Sequence, residues 1–247
     1  MSKQNRSTDR AARAEAVRRE AERKARTRQL GVAGAILVVL ALVVGVGFLV
    51  QSQRDSTGDD VESPSAATET FGLVIGQDDA PAKVVIYEDF LCPVCAQFET
   101  QSRDRLEQFV ADGAAQVEFR PFNLLQQYGD YSERATNAFA VVLDVSGPEV
   151  AKTFHHALFE NQPAEAGTLP DDDWLIDLAV ESGADRDAIE DPIRSLAFEG
   201  WVANATDQAS KDFVQGTPTV RLDGEDVPGT SIPEMVDNLM AGIEAAS

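Results

Sequence analysis

Apolar residues run unbroken by charge from Leu30 to Val50. As a helix these 21 residues would be roughly 31 Å long, close to the hydrocarbon thickness of a bilayer. The apolar core of a cleaved leader is usually about 7–15 residues, so an uncleaved transmembrane helix is expected over 30–50. Residues 51–70 then show no apolar periodicity and are rich in Ser, Thr, Asp, Gly and Ala. That composition predicts a flexible linker with a root-mean-square span of about 25 Å.

Periodic patterns begin after the linker. Phe71–Ile75 reads as a short strand and Gln77–Pro81 as a turn. Lys83–Phe90 is β-branched and aromatic, the signature of a central strand. Past Pro93, the spacing of Phe98, Leu106, Phe109 and Val110 predicts a helix that starts near Cys92. Gln116–Phe122 alternates like a second strand. Helical spacing then covers Ser132–Val145, Pro148–Phe159, Asp171–Ser182 and a long segment Asp187–Phe213. Thr219–Leu222, the Asp223-Gly224 turn and Asp226-Val227 form a hairpin. Ser231 and Glu234 have the spacing of a capping box opening a last helix. Its stripe is Ile232, Met235, Val236, Leu239 and Ile243. A βαβ half and a ββα half, separated by helices over about 125–213, make an α/β domain over 71–247.

Charge adds an orientation. Residues 1–29 carry ten Lys/Arg against four Asp/Glu, whereas the whole chain is −21. By the positive-inside rule the basic segment 1–29 stays in the cytoplasm and the acidic remainder lies outside. Pairs such as Glu15/Arg19, Glu20/Lys24 and Glu22/Arg26 suit a solvated helix in the basic segment. The acidic bulk excludes nucleic-acid binding by the folded part, because phosphate contacts need a basic surface. The bilayer, through residues 30–50, is the expected contact.

Two cysteines, Cys92 and Cys95, are the only ones in the chain, and they form Cys-Pro-Val-Cys at a strand–helix junction. Unpaired N–H groups and the macrodipole at a helix start favour a Cys92 thiolate, the species that attacks a disulfide. Cys95 lies one turn on, in reach to resolve the mixed disulfide. A purely structural bridge across so short a loop would contribute only about 2 kcal/mol. No cofactor is implied. No metal site is expected either, since zinc wants more ligands than the cysteines provide. The two histidines, His155 and His156, are neighbours pointing about 100° apart on a helix, poorly placed to act together. Gly216-Thr217-Pro218-Thr219 opens a strand about 125 residues downstream, and Pro218 there is expected to be cis.

These features resemble the DsbA-like branch of the thioredoxin superfamily, and are similar to its single-span members in actinobacteria. The resemblance rests on Val84-Val85, Glu88-Asp89-Phe90-Leu91-Cys92-Pro93-Val94-Cys95 and Tyr131-Ser132-Glu133-Arg134-Ala135. It also rests on Phe154-His155-His156-Ala157-Leu158-Phe159, Asn161-Gln162-Pro163 and Gly216-Thr217-Pro218-Thr219-Val220. It implies a thioredoxin fold with a helical insertion, a Cys92 that attacks, a Cys95 that resolves, and a cis Pro218 against the pair. It also implies that the Thr217 backbone bonds an extended substrate. Many relatives carry a buried Glu six residues before the first Cys, where this chain has Ile86. Glu88 or Asp89 stand as candidate proton carriers for Cys95, although a solvated strand end is the preferred reading of both.

The expected activity is thiol–disulfide exchange with exported cysteine-containing proteins, as an oxidase recycled by a membrane redox partner. A reductase or isomerase using the same pair is the alternative, as is a membrane-tethered binding or chaperone-like module.

Overall fold

A computed structural model describes residues 61–164 and 167–247. The basic segment 1–29 and the apolar run 30–50 lie outside the described residues. Among the described residues no helix is long and apolar enough to cross a membrane.

The strands are β1 (Leu73–Ile75), β2 (Ala82–Glu88), β3 (Ala115–Pro121), β4 (Thr219–Leu222) and β5 (Glu225–Asp226). They make a mixed sheet in the order β1-β3-β2-β4-β5. β2 pairs parallel with β3 and antiparallel with β4, which places Val84 between Val117 and Leu222. The two edge strands are short, three and two residues, which limits unpaired backbone at the margins. Asp223 and Gly224 both take positive φ, 52° and 89°, the backbone that a two-residue hairpin turn demands.

Helix α1 (Pro93–Ala111) follows β2, and α7 (Ile232–Ala246) closes the chain. Ala82, Val84 and Ile86 alternate along β2 and pack with Phe98, Leu106, Val236, Leu239, Met240 and Ile243 from these two helices. The intervening β2 residues look the other way, where Tyr87 joins Ala205 and Ala209 of α6 (Glu199–Lys211). The sheet is therefore covered on both faces, the arrangement expected for strands without a clean polar side.

Between β3 and β4 lie α2 (Tyr131–Ser146), α3 (Pro148–Glu160), α4 (Asp172–Glu181), α5 (Arg186–Arg194) and α6. Their apolar faces enclose a second core that includes Phe139, Phe154, Leu158, Leu175 and Trp201, and it extends to Phe90, Leu91, Cys92 and Cys95. The cysteine pair thus sits where the sheet core meets the helical core.

Three expectations are corrected. The long helix over Asp187–Phe213 is two helices, α5 and α6, broken where Leu196 adopts φ 52°. The side chain of buried Asn137 on α2 holds the break: its Oδ1 accepts from Phe198 N–H (2.8 Å) and its Nδ2 donates to the Ile193 carbonyl (3.2 Å). The residues read as linker are docked in their last part. Ser65 N–H donates to Asp144, and the Thr68 and Thr70 hydroxyls donate to Glu118 on the outer face of β3. At α7, Ser231 Oγ accepts from Glu234 N–H (3.4 Å), but the Glu234 carboxylate turns to Thr230, accepting from its N–H and hydroxyl. The reciprocal half of the cap is displaced by one residue.

Candidate active site

Cys92 is the N-cap of α1, with extended backbone (φ −77°, ψ 114°), and Pro93 occupies the first turn. Proline suits that position because its missing N–H would have no helical partner there. Cys95 falls on the buried stripe Cys95, Phe98, Glu99, Ser102 and Leu106 of the same helix. Both thiols are free. Cys92 is 6% exposed and Cys95 2%, so both sulfurs are more covered than a surface motif would suggest. Val94 between them is exposed.

The Thr217–Pro218 bond is cis. The Thr217 carbonyl oxygen lies 3.5 Å from Cys92 Sγ and accepts from it while the thiol is protonated, which brings the two distant sequence motifs together. Thr219 Oγ donates to the Gly216 carbonyl (2.7 Å) and secures the turn. From the other side Gln162 Nε2 donates to the carbonyls of Phe90 (2.9 Å) and Cys92 (3.0 Å). Gln162 therefore fixes the loop that carries the first cysteine. Its only sequence signal was its place in a family-like stretch.

The two thiols are electrostatically unlike. The Cys92 thiol is drawn down to about 6, chiefly by a hydrogen bond from the Cys95 thiol, against the cost of burial. The Thr217 side chain and the N–H groups of Cys95 and Val94 add to the effect. Cys95 moves the opposite way, well above the usual thiol value, through burial first and then through its bond to Cys92 and the Cys92 charge. Near neutrality the pair holds one thiolate, on Cys92, and one proton, on Cys95.

This inequality has a measurable consequence. The alkylation rate of Cys92 in the reduced protein is expected to follow a titration with its midpoint near pH 6. An ordinary thiol titrates near about 8.5. Because the folded value lies below the unfolded one, the thiolate's stabilisation of the reduced fold is absent below pH 6 and grows as pH rises toward 9. The stability difference between reduced and disulfide forms should rise across that window, which urea unfolding of both forms would follow.

Glu88 and Asp89 are not a solvated strand end. Glu88 is 2% exposed and Asp89 fully buried. The Asp89 carboxylate accepts four hydrogen bonds. Leu91 N–H (2.8 Å) and Ser132 Oγ (2.6 Å) reach Oδ1, while Leu124 N–H (2.8 Å) and Leu125 N–H (2.9 Å) reach Oδ2. Burial pushes this carboxyl up and the four donors oppose it. Three of them are backbone N–H groups that can only donate, so the anion fits the site better than the acid. Asp89 ties the cysteine loop to the loop after β3 and to the start of α2.

Glu88 has a different environment. Its Oε1 lies 2.5 Å from Nε2 of the buried His155. Burial pushes Glu88 up, and His155 draws it part of the way back. Burial opposes the charged His155 ring, but Glu88 and Glu99 raise its pKa. The Glu88 charge in turn contributes to holding Cys95 high.

His155 and His156 do act together, contrary to the expectation from their adjacency. Their Nδ1 atoms approach to 3.4 Å, and His156 Nδ1 lies 2.5 Å from Glu99 Oε1. Against the desolvation of burial, His156, His155 and Arg103 hold the Glu99 carboxyl down at about 2.

A family sequence model described as Thioredoxin matches residues 68–241. The chain belongs to the thioredoxin family. Within it the chain is DsbA-like and a thiol–disulfide oxidoreductase. A probable disulfide bond formation protein D of Bacillus cereus is 25% identical over 191 residues, 76% of this chain and 84% of that protein. The oxidised DsbA of Mycobacterium tuberculosis superposes with a TM-score of 0.58 at 29% identity, covering 71% of this chain and 97% of the other. MdbA of Actinomyces oris, a thiol–disulfide oxidoreductase, gives a TM-score of 0.63 at 25% identity, covering 74% and 91%.

Proposed function

We propose that the chain is an extracytoplasmic disulfide donor that oxidises exported cysteine-containing proteins through the Cys92–Cys95 pair. The observation that carries this reading is the Cys92 thiol lowered to about 6 beside a Cys95 held high. A stabilised thiolate favours the reduced form and so makes the disulfide a stronger oxidant, as in DsbA.

In this reading a substrate thiolate attacks Cys92 Sγ of the disulfide. A mixed disulfide forms, and Cys95 leaves and takes up a proton, consistent with its high pKa. A second substrate thiolate then attacks the substrate sulfur of the mixed disulfide. Cys92 leaves as its stabilised thiolate, and the substrate departs with a new disulfide. Two electrons have passed to the cysteine pair. Glu88 is assigned the proton traffic to Cys95, because its burial and its coupling to Cys95 suit a group that changes charge. Asp89 is assigned to anchoring the loop. The Thr217 backbone beside cis-Pro218 is assigned to the extended substrate, with low side-chain specificity.

The proposal keeps a membrane anchor over 30–50 and a cytoplasmic basic segment over 1–29. The flanking charge asymmetry supports it. An oxidising role outside the cytoplasm also fits the compartment where protein disulfides persist. Recycling then falls to a membrane redox partner.

Incubating the oxidised protein with a reduced, unfolded disulfide protein tests the reading. Stoichiometric transfer of disulfides to that substrate is expected. If the oxidised chain leaves the substrate reduced while its own reduced form cleaves substrate disulfides, the direction is the opposite one.

A further inference from the structure

We propose that Glu99, His155 and His156 form a binding site for one divalent transition-metal ion of the zinc class. The donors are Glu99 Oε1, His155 Nδ1 and His156 Nδ1. They are separated by 2.5 Å (Glu99–His156), 3.4 Å (His155–His156) and 3.9 Å (His155–Glu99). Ligands of a tetrahedral zinc ion with bonds of about 2.0–2.1 Å lie about 3.3–3.4 Å apart. The His155–His156 spacing already matches. The Glu99–His156 contact, now bridged by a proton, must open and the 3.9 Å His155–Glu99 spacing must tighten as the metal enters and that proton leaves.

The outer groups are arranged as metal-bound imidazoles require. A ligating histidine turns its second ring nitrogen to a carboxylate, which fixes the tautomer and raises the basicity of the ligand atom. His155 does so, with Nε2 2.5 Å from Glu88 Oε1. His156 Nε2 makes no hydrogen bond and has Glu107 Oε1 3.3 Å away as the carboxylate in reach. With Nε2 carrying the proton in each ring, both Nδ1 atoms are left to ligate, 2.5 and 3.9 Å from Glu99 Oε1.

Charge also favours a dication. Glu88, Glu99, Glu107 and Glu160 face the cluster, against Arg103 and Lys152 as the cations paired with them. With both rings neutral, four carboxylates against two cations leave two formal negative charges, which one divalent ion neutralises. Arg103 Nε donates to Glu99 Oε1 at 3.0 Å and would share that oxygen with the metal, its guanidinium retaining Glu160. Glu99 and His155 are buried, 2% and 0% exposed. His156 lines a surface cavity of about 510 Å³ together with Glu107, Lys152 and Glu160, which provides a route inward. A bound ion would clamp α1, which carries the cysteines, to α3.

Zinc titration of the full-length protein in its disulfide form tests this. The disulfide removes Cys92 and Cys95 as competing ligands. One zinc ion per chain is expected by calorimetry, with a rise in melting temperature as zinc is added. His156→Gln should abolish stoichiometric binding. Glu107→Gln, which removes the charge beside His156 Nε2 and Lys152 on a partly exposed side chain without touching a ligand atom, should weaken it about 10–100-fold. Melting in chelator establishes that each variant folds, and if His156→Gln does not, Glu107→Gln decides. The proposal is overturned if the wild type takes up no stoichiometric zinc. It is equally overturned if the folded variants bind zinc as tightly as the wild type, which would place the ion on surface carboxylates.

Discussion

Cys92→Ala is expected to abolish disulfide exchange while the domain stays folded. No other thiol in the chain is placed to replace it. Cys95 is nearly fully covered and its pKa lies well above the usual value, so it offers almost no thiolate near neutrality. The loss should exceed about a thousandfold, because the attacking species itself is removed rather than detuned. Folding should survive, since the change removes one small side chain at the N-cap, and Cys92 makes no side-chain capping bond there. Far-ultraviolet circular dichroism and urea unfolding check the second half, and exchange with a small disulfide reagent checks the first. Exchange persisting at a wild-type rate in the folded variant would remove Cys92 from the chemistry.

Asp89→Ala should produce the largest loss of stability of any single change near the site. It strips the acceptor at once from the buried Leu91 N–H and Ser132 hydroxyl and from the half-buried N–H groups of Leu124 and Leu125. Each orphaned buried donor costs about 1–3 kcal/mol, and because neighbouring losses are not additive the total should be about 3–5 kcal/mol. Asp89→Asn keeps one acceptor oxygen and should fall between wild type and alanine. Urea unfolding of the reduced proteins reads this directly. A loss under about 1 kcal/mol for the alanine variant would show that Asp89 does not anchor the loop.

Which parts of this were legible in the sequence follows from the range of the interactions concerned. Strands β2 and β3, helix α1 and the stripe of α7 emerge from local periodicity, because burial on one side dictates the spacing of apolar residues. The Cys92–Cys95 motif and the Thr217–Pro218 turn were also visible, as short patterns with chemical meaning. The break between α5 and α6 was not, because Asn137, 61 residues from Phe198, supplies the bonds that hold it. Glu88 and Asp89 looked like a strand end because their partners, His155, Ser132, Leu124 and Leu125, lie 35 to 67 residues away. His155 and His156 diverge on an isolated helix, and only Glu99 of α1, packed against them, makes their ring nitrogens meet. Pattern finds elements, whereas buried polar chemistry depends on which elements the tertiary fold brings together.

The redox equilibrium of the Cys92–Cys95 pair against a glutathione series tests the central claim most directly. A thiolate stabilised at Cys92 predicts an oxidising potential, toward about −120 mV, the range of strong disulfide donors. A potential near about −270 mV, the range of thioredoxin, would contradict it and assign the protein to disulfide reduction.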